Sequence, residues 1–296
     1  MTARPQPRGP AVARRFRLTA PMHIDPTTDR GRAGLAALLA NPRHALVAFD
    51  YDGTLAPIVD DPGRAKPSPD VVEALTALSQ RVALVAIVTG RPAQQAVDLA
   101  GLDSAPGLER FVVLGHYGVE RWDASTGSIQ SIDPPEGLAL VRSRLPELLA
   151  TMDLAAAEVE DKRLSVAVHV RRHREPTAAF ARMEQPLRDL AAEAGLTAEP
   201  GRHVLELRPA GMDKGQALRR LVDEVDAGAV TFAGDDLGDL AAFDEVDRLR
   251  LAGRPGLLIC SGSVEVPVVA ERADLVVDGP DGIAHMLSDL VLAVSA

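Results

Sequence analysis

Cysteine is almost missing from this chain: Cys260 is the single thiol in 296 residues. One thiol closes no internal disulfide and leaves no Cys/His cluster with metal-ligand spacing, so a reducing cytoplasm is the expected setting. Long apolar runs are missing as well. The longest, Leu35 to Ala40 and Val82 to Val88, fall far short of the ~20 residues that span a bilayer, and no membrane segment is expected. A broad basic surface is also lacking. The chain carries a net charge of -10, and beyond Arg32 it has 25 basic against 40 acidic residues, a net -15, which argues against a nucleic acid partner. Lysine is scarce: Lys66, Lys162 and Lys214 stand against 29 arginines, so a surviving lysine marks a place for a compact, point-like cation.

The first 32 residues differ in charge from the rest, with seven arginines and two aspartates. Arg14-Arg15-Phe16 has the look of a twin-arginine export signal, but Leu18 to Pro21 is too short and too interrupted to be its apolar segment. With Pro5, Pro7, Pro10, Pro21 and Pro26, residues 1–40 read as a disordered basic leader.

What is present, at 46 % hydrophobic content, is enough for a sizeable core in one large or two ordinary domains. After residue 43, short apolar runs alternate with amphipathic ones, the pattern of a parallel sheet flanked by helices. Strands are expected at Ala45 to Phe49, Val82 to Val88, Phe111 to Leu114, Val230 to Ala233 and Leu257 to Cys260. Ser68-Pro69-Asp70 starts a helix, with proline in the first turn and a carboxylate at the positive end of the dipole. From Val119 the pattern changes. A hairpin around Ser125-Thr126-Gly127 within Val119 to Ile132, a helix from Glu136 to Met152, strict alternation over Leu164 to Val170, a helix from Pro176 to Ala194 and a strand candidate holding Val204, Glu206 and Arg208 follow. Residues 119–207 therefore read as an α+β module inserted into an α/β core made of 41–118 and 208–296.

Ligands of open α/β sheets bind at the carboxyl ends of the strands, and the polar clusters sit at such ends. Asp50 and Asp52 follow the first strand, Thr89-Gly90-Arg91 the second, and Gly234-Asp235-Asp236-Leu237-Gly238-Asp239 the strand at 230–233, while Lys214 opens a helix to Val225. Carboxylates gathered without a partner repel, and a shared proton or a divalent cation resolves that. Asp50, Asp52, Asp235 and Asp239 offer the all-oxygen set that Mg²⁺ prefers. Such a set suits phosphoryl transfer: one aspartate attacks phosphorus to give an aspartyl-phosphate, and a second protonates the leaving sugar oxygen and later activates water. Thr54 or Thr89 hydroxyls, amides near Gly53 and Gly90, and the Lys214 ammonium are candidates to hold the phosphoryl oxygens.

"DYDGTL", "TGR", "KG" and "GDDLGD", in this order, resemble the four motifs of the haloacid dehalogenase-like phosphatases. That resemblance implies a Rossmann-like core with an inserted cap of the α+β, C2 type. It further implies Asp50 as nucleophile, Asp52 as acid/base, and Mg²⁺ held by Asp50, the Asp52 backbone carbonyl and Asp235. Asp239 then supports the metal shell, Lys214 steadies nucleophile and phosphate, and Thr89, Gly90 and Arg91 bind phosphate. "GHYGVE" at 115–120, "VEDKRLSVAVHVR" at 159–171 and "LELRPAGMDKGQAL" at 205–218 are similar to the trehalose-6-phosphate phosphatases, and the likeness runs over residues 44–290. It implies hydrolysis of trehalose 6-phosphate in trehalose biosynthesis, a functional link to a trehalose-6-phosphate synthase, and Glu160, Lys162, Arg171 and Glu206 around the sugar. Two motifs depart from the family pattern. Gly238 and Leu240 stand where GDDxTDE is common, and Tyr117 where histidine precedes the glycine, which leaves open a sucrose phosphate or other hexose phosphate substrate. A phosphomutase, or a sugar-phosphate sensor that does not turn over, are the readings from other classes.

Overall fold

Apolar runs too short for anything but strands make up the middle of the molecule. The computed structural model describes residues 24–201, 203–262 and 267–295. The chain first passes through α1 (Asp29–Ala40), β1 (Ala45–Phe49), α2 (Pro69–Ser79), β2 (Leu84–Val88), α3 (Ala93–Ala100), β3 (Phe111–Gly115), β4 (Glu120–Asp123) and β5 (Ser128–Gln130). Next come α4 (Gly137–Thr151), β6 (Glu158–Asp161), β7 (Val166–His169), α5 (Pro176–Glu193), β8 (Thr197–Gly201) and β9 (Val204–Arg208). It closes with α6 (Lys214–Glu224), β10 (Ala229–Gly234), α7 (Leu240–Leu251), β11 (Gly256–Ser261), α8 (Pro267–Arg272), β12 (Leu275–Val277) and α9 (Gly279–Ala293).

The large sheet has the order β12-β11-β10-β1-β2-β3-β4-β5. From β12 to β3 every pairing is parallel, and β4 and β5 add an antiparallel hairpin. All residues of β1, β2, β3, β10 and β11 are buried, as strands covered by helices on both faces must be. Leu38, Leu75, Val97 and Leu287 of α1, α2, α3 and α9 pack on one face with Val47 and Phe49. Leu221 of α6 and Phe243 of α7 pack on the other with Leu46 and Phe232, the two phenyl rings meeting edge to face at 6.1 Å. Both edge strands of this sheet, β12 and β5, are three residues long. No helix among the described residues is long and apolar enough to cross a membrane.

A separate antiparallel sheet, β6-β7-β9-β8, carries α4 and α5 on one face. Val166, Val168, Leu205 and Leu207 point into that core with Leu145, Leu149, Met183 and Leu187. The alternate positions of the same strands, among them His169, Glu206 and Arg208, turn the other way.

Two expectations need correction. The leader does not extend to residue 40: residues 1–23 lie outside the described residues, but 29–40 form α1. Thr28 caps it by accepting from the Gly31 N–H at 3.0 Å, and Leu35 and Leu38 are buried while Arg30 and Arg32 stay exposed. A buried stripe this narrow is easily lost in a segment dense in arginine and proline. The hairpin forms, but on the large sheet and not in the inserted module. Val113 of β3 lies opposite Trp122 of β4, and that pairing buries the indole in the large core. The inserted unit thus runs from α4 to β9. Glu120 at the base of the hairpin ties it down, accepting from the Ala93 N–H at 2.9 Å and from Arg163 of the module at 3.0 Å.

Candidate active site

Strand β1 continues its register one step past Phe49, where the Asp50 N–H donates to the Ala233 carbonyl at 2.8 Å, so Asp50 stands at the carboxyl end of the sheet. The chain then turns sharply. Gly53 has φ +78°, and a Cβ there would lie 2.2 Å from Asp235 Oδ2, which explains the glycine after the two aspartates. Thr54, fully buried, donates its hydroxyl to Asp235 Oδ1 at 3.0 Å. The Ser261 hydroxyl at the end of β11 donates to the Gly53 carbonyl at 2.7 Å and steadies the same turn.

The two neighbouring aspartates do not confront each other. Asp50 meets Lys214, whose Nζ donates to Asp50 Oδ1 at 2.5 Å and to Asp239 Oδ1 at 2.7 Å. Lys214 is the first residue of α6, aimed into the site by the Asp213 cap, whose carboxylate accepts from the Gln216 N–H at 2.8 Å. Asp239 Oδ2 accepts from the Asp235 and Asp236 N–H groups at 2.8 and 3.1 Å, so Asp239 braces the loop after β10. One carboxylate oxygen from each of Asp50, Asp235 and Asp239 lies within 4.8 Å of the others, all three residues being buried. Oxygen donors of this charge and spacing fit a hard divalent cation. The side chain of Asp52 is not in this group.

Burial raises all three acids, and repulsion from neighbouring carboxylates, Asp236 among them, adds to it against the pull of Lys214. Asp50 is held well above the usual carboxylate range, Asp235 is pushed up to about 7 and Asp239 to about 6. Burial works against the charged form of Lys214, but Asp239 and Asp50 outweigh it and hold the ammonium well above its ordinary value. A carboxyl raised on folding destabilises the folded state as pH climbs from its unfolded value to its folded one. Asp235→Asn is therefore expected to stabilise the metal-free protein at pH 8 by on the order of 2 kcal/mol and to do nothing at pH 4. Thermal melts at the two values check it, and an equal shift at both would assign the gain to packing.

Asp52 meets Arg91 instead. The guanidinium donates from Nε and Nη2 to the two Asp52 oxygens, both at 2.6 Å, and from Nη1 to the Pro62 carbonyl at 2.9 Å. This bidentate fork leaves the expected phosphate ligand Arg91 engaged with the expected acid/base. Thr89 stands at the end of β2 and is buried, its hydroxyl accepting from the Arg91 N–H at 3.2 Å.

The polar face of the small sheet supplies the other wall. Glu160 on β6, Ala167 on β7 and Glu206 on β9 share one register row. Lys162 Nζ lies 3.7 Å from Glu160 Oε2 and 3.4 Å from Glu206 Oε1, and His169 Nε2 is 3.1 Å from Glu160 Oε2. Three of the four expected sugar ligands are thus together. Arg171 is not with them: it sits exposed in the turn after β7 and makes no hydrogen bond or ion pair among the described residues. His169, Ser165 and Arg208 were not foreseen, although two-residue alternation puts Arg208 on the face of Glu206. Glu206 also meets the core directly, since the Tyr117 hydroxyl donates to its Oε2 at 2.9 Å. Burial raises Glu206, but Lys162, Ser165, Arg208 and Tyr117 more than offset it and leave its pKa lowered.

Comparison with known proteins places the chain in a family. The family model for trehalose-phosphatase matches residues 48–280. A trehalose-phosphate phosphatase of Mycobacterium avium (strain 104) is 35% identical over 245 residues, covering 79% of this chain and 59% of its own length. That of Mycobacterium marinum is 35% identical over 224 residues, covering 70% of this chain and 53% of its own length. The chain therefore spans little more than half of these curated relatives. Among solved structures, the C-terminal domain of a C. albicans trehalose-6-phosphate phosphatase aligns with TM-score 0.70 and 20% identity, covering 91% of this chain and 98% of that one. A trehalose-6-phosphate phosphatase of Aspergillus fumigatus aligns with TM-score 0.63 and 23% identity, over 90% of this chain and 98% of that one. At such identities these structures speak for the fold alone. The chain belongs to the trehalose-phosphatase family.

Proposed function

We propose that this chain is a Mg²⁺-dependent phosphomonoesterase that hydrolyses trehalose 6-phosphate to trehalose and inorganic phosphate. The observation that carries the reading is the buried Asp50, Lys214, Asp235 and Asp239 cluster at the carboxyl ends of β1 and β10, across from a sheet face bearing Glu160, Lys162 and Glu206. In the first step the Asp50 carboxylate attacks phosphorus and the bond from phosphorus to the sugar oxygen breaks, while Asp52 gives that oxygen a proton. In the second, Asp52 takes a proton from water, the hydroxide adds to phosphorus, and the Asp50 carboxylate leaves. Lys214 holds Asp50 in place and supplies positive charge toward the phosphoryl oxygens, with Thr54 and Thr89 beside it. A divalent cation at Asp50 and Asp235, with the Asp52 carbonyl completing the set that family resemblance implies, supplies further charge neutralisation. The ring hydroxyls of a disaccharide suit Glu160 and Glu206, since carboxylates accept two hydrogen bonds from adjacent hydroxyls and Lys162 donates between them.

A phosphate-release panel tests the reading. Trehalose 6-phosphate, sucrose 6-phosphate, glucose 6-phosphate and an aryl phosphate are each supplied with Mg²⁺ and with chelator. The expected result is the highest kcat/KM for trehalose 6-phosphate and a loss of at least ~1000-fold in chelator, restored by Mg²⁺. Full activity in chelator removes the metal from the reading, preference for another sugar phosphate replaces the substrate, and phosphate returned to the sugar without release makes the chain a mutase.

A further inference from the structure

The turn after β3 is strained in a way that the core motifs do not require. His116, Tyr117 and Gly118 have φ of +47°, +57° and +94°, three successive residues in the left-handed region, of which the first two carry side chains. Non-glycine residues there cost of order 1 kcal/mol each and persist only where surroundings hold them. Here the holding groups belong to the phosphate-side loop. The His116 N–H donates to the Arg91 carbonyl and the Tyr117 N–H to the Thr89 carbonyl, both at 2.9 Å.

The strained backbone sends the Tyr117 side chain across Gly90 to the inserted module. A Cβ on Gly90 would lie 2.6 Å from the Tyr117 hydroxyl oxygen, so glycine at 90 leaves the passage open. Beyond it the hydroxyl donates to Glu206 Oε2, and Arg208 stacks its guanidinium over the ring at 4.0 Å. The other groups holding Glu206, Ser165 at 2.5 Å and Lys162 at 3.4 Å, both lie on the module itself. Tyr117 thus joins the backbone of the loop beside the phosphate to the carboxylate on the sugar side.

We propose that Tyr117 is a specificity-determining residue, which positions Glu206 for the sugar by docking the module on the Thr89 to Arg91 loop. This rests on the function proposed above. With the hydroxyl bound, both oxygens of Glu206 are held, Oε2 by Tyr117 and Oε1 by Ser165, and the carboxylate faces a disaccharide whose phosphate is already in the core. Without it, one carboxylate oxygen loses its donor and the module loses a polar tie to that loop, while Asp50, Lys214 and the cation site keep their contacts. The effect falls on large substrates and spares small ones.

The test is Tyr117→Phe in the full chain, with Mg²⁺, measured on trehalose 6-phosphate and on an aryl phosphate. Phenylalanine keeps the ring, its stacking on Arg208 and its place beside Gly90. KM for trehalose 6-phosphate is expected to rise about 10-fold to 100-fold with kcat falling less than about 3-fold, and aryl phosphate kinetics are expected to hold. Glu206→Gln and the double variant complete a cycle in which the tyrosine change costs little once Glu206 has lost its charge. Equal losses on both substrates, or strictly additive effects in the cycle, overturn the proposal. If the parent chain itself shows no preference for trehalose 6-phosphate, the functional reading falls first, whatever the variant does.

Discussion

Asp50→Asn is expected to reduce phosphate release by on the order of 10⁴-fold or more and to raise the melting temperature of the metal-free protein. The amide fills the same buried space and still offers Lys214 an oxygen at the Asp50 Oδ1 position, 2.5 Å from Nζ. It cannot attack phosphorus, because its nitrogen and oxygen share a lone pair and no anion forms. The stability gain follows from the same burial that raises the Asp50 pKa. Desolvation, with Asp239 and Asp235 adding to it, makes the ionised carboxylate unfavourable in the folded state, and the neutral amide escapes that cost at pH 7. Loss of turnover with a higher melting temperature separates chemistry from folding in one sample. Turnover within 10-fold of the parent would remove Asp50 as nucleophile.

Lys214→Ala is expected to act in the opposite sense on stability, with a loss of about 3–5 kcal/mol at pH 8, because it leaves a set of buried carboxylates without their cation. Lys214 is 4% exposed and lies between Asp50 and Asp239. The raised lysine pKa means that its stabilisation is fully present below its unfolded value of 10.5 and is lost only above it. The carboxylates supply the pH dependence. Without Lys214 they hold protons more tightly still, so the loss grows as pH rises through their raised values and shrinks toward pH 5, where they are neutralised with or without the lysine. Mg²⁺ is expected to recover part of the stability and none of the rate, since a cation offsets the charge but does not orient Asp50. Melts at pH 5 and pH 8 with and without Mg²⁺, beside phosphate release, measure all of this. A loss of stability independent of pH would make Lys214 a packing residue.

These two residues were readable from sequence because each belongs to a short motif at a predicted strand or helix end. Local order carries such information: β1 has the expected limits, Val204, Glu206 and Arg208 share one strand as expected, and α6 starts at the expected Lys214. Strand β6 was not readable. Glu158-Val159-Glu160-Asp161 has three acids in four residues and is a strand through its pairing with β7, which no local pattern reveals. Strand β8 hides for the opposite reason, as Pro200 and Gly201 signal a turn and are accommodated at a sheet edge. The site divides in the same way. That Asp50, Asp235 and Asp239 converge followed from strand-end logic, whereas the partner of Arg91 depended on the path of the loop after β1. The contact between Tyr117 and Glu206 spans 89 residues of sequence and two sheets. Tyr117 was visible as a departure from the family pattern, and Arg171, counted as a sugar ligand by motif alone, lies in a turn outside the polar row.

The brevity of the two outer strands of the large sheet bears on how this protein behaves in a crowded solution. An open edge presents unpaired N–H and C=O groups that a second chain can copy, and long flat edges lead to fibrous association. Here the parallel strands next to the active site, five or six residues long, are all interior, and the chain ends the sheet at Leu275–Val277 on one side and Ser128–Gln130 on the other. Three residues offer too few bonds to hold an incoming strand in register. The hairpin that lengthens the sheet past β3 thereby also seals it, because without β4 and β5 the five-residue apolar strand Phe111–Gly115 would itself be the exposed template.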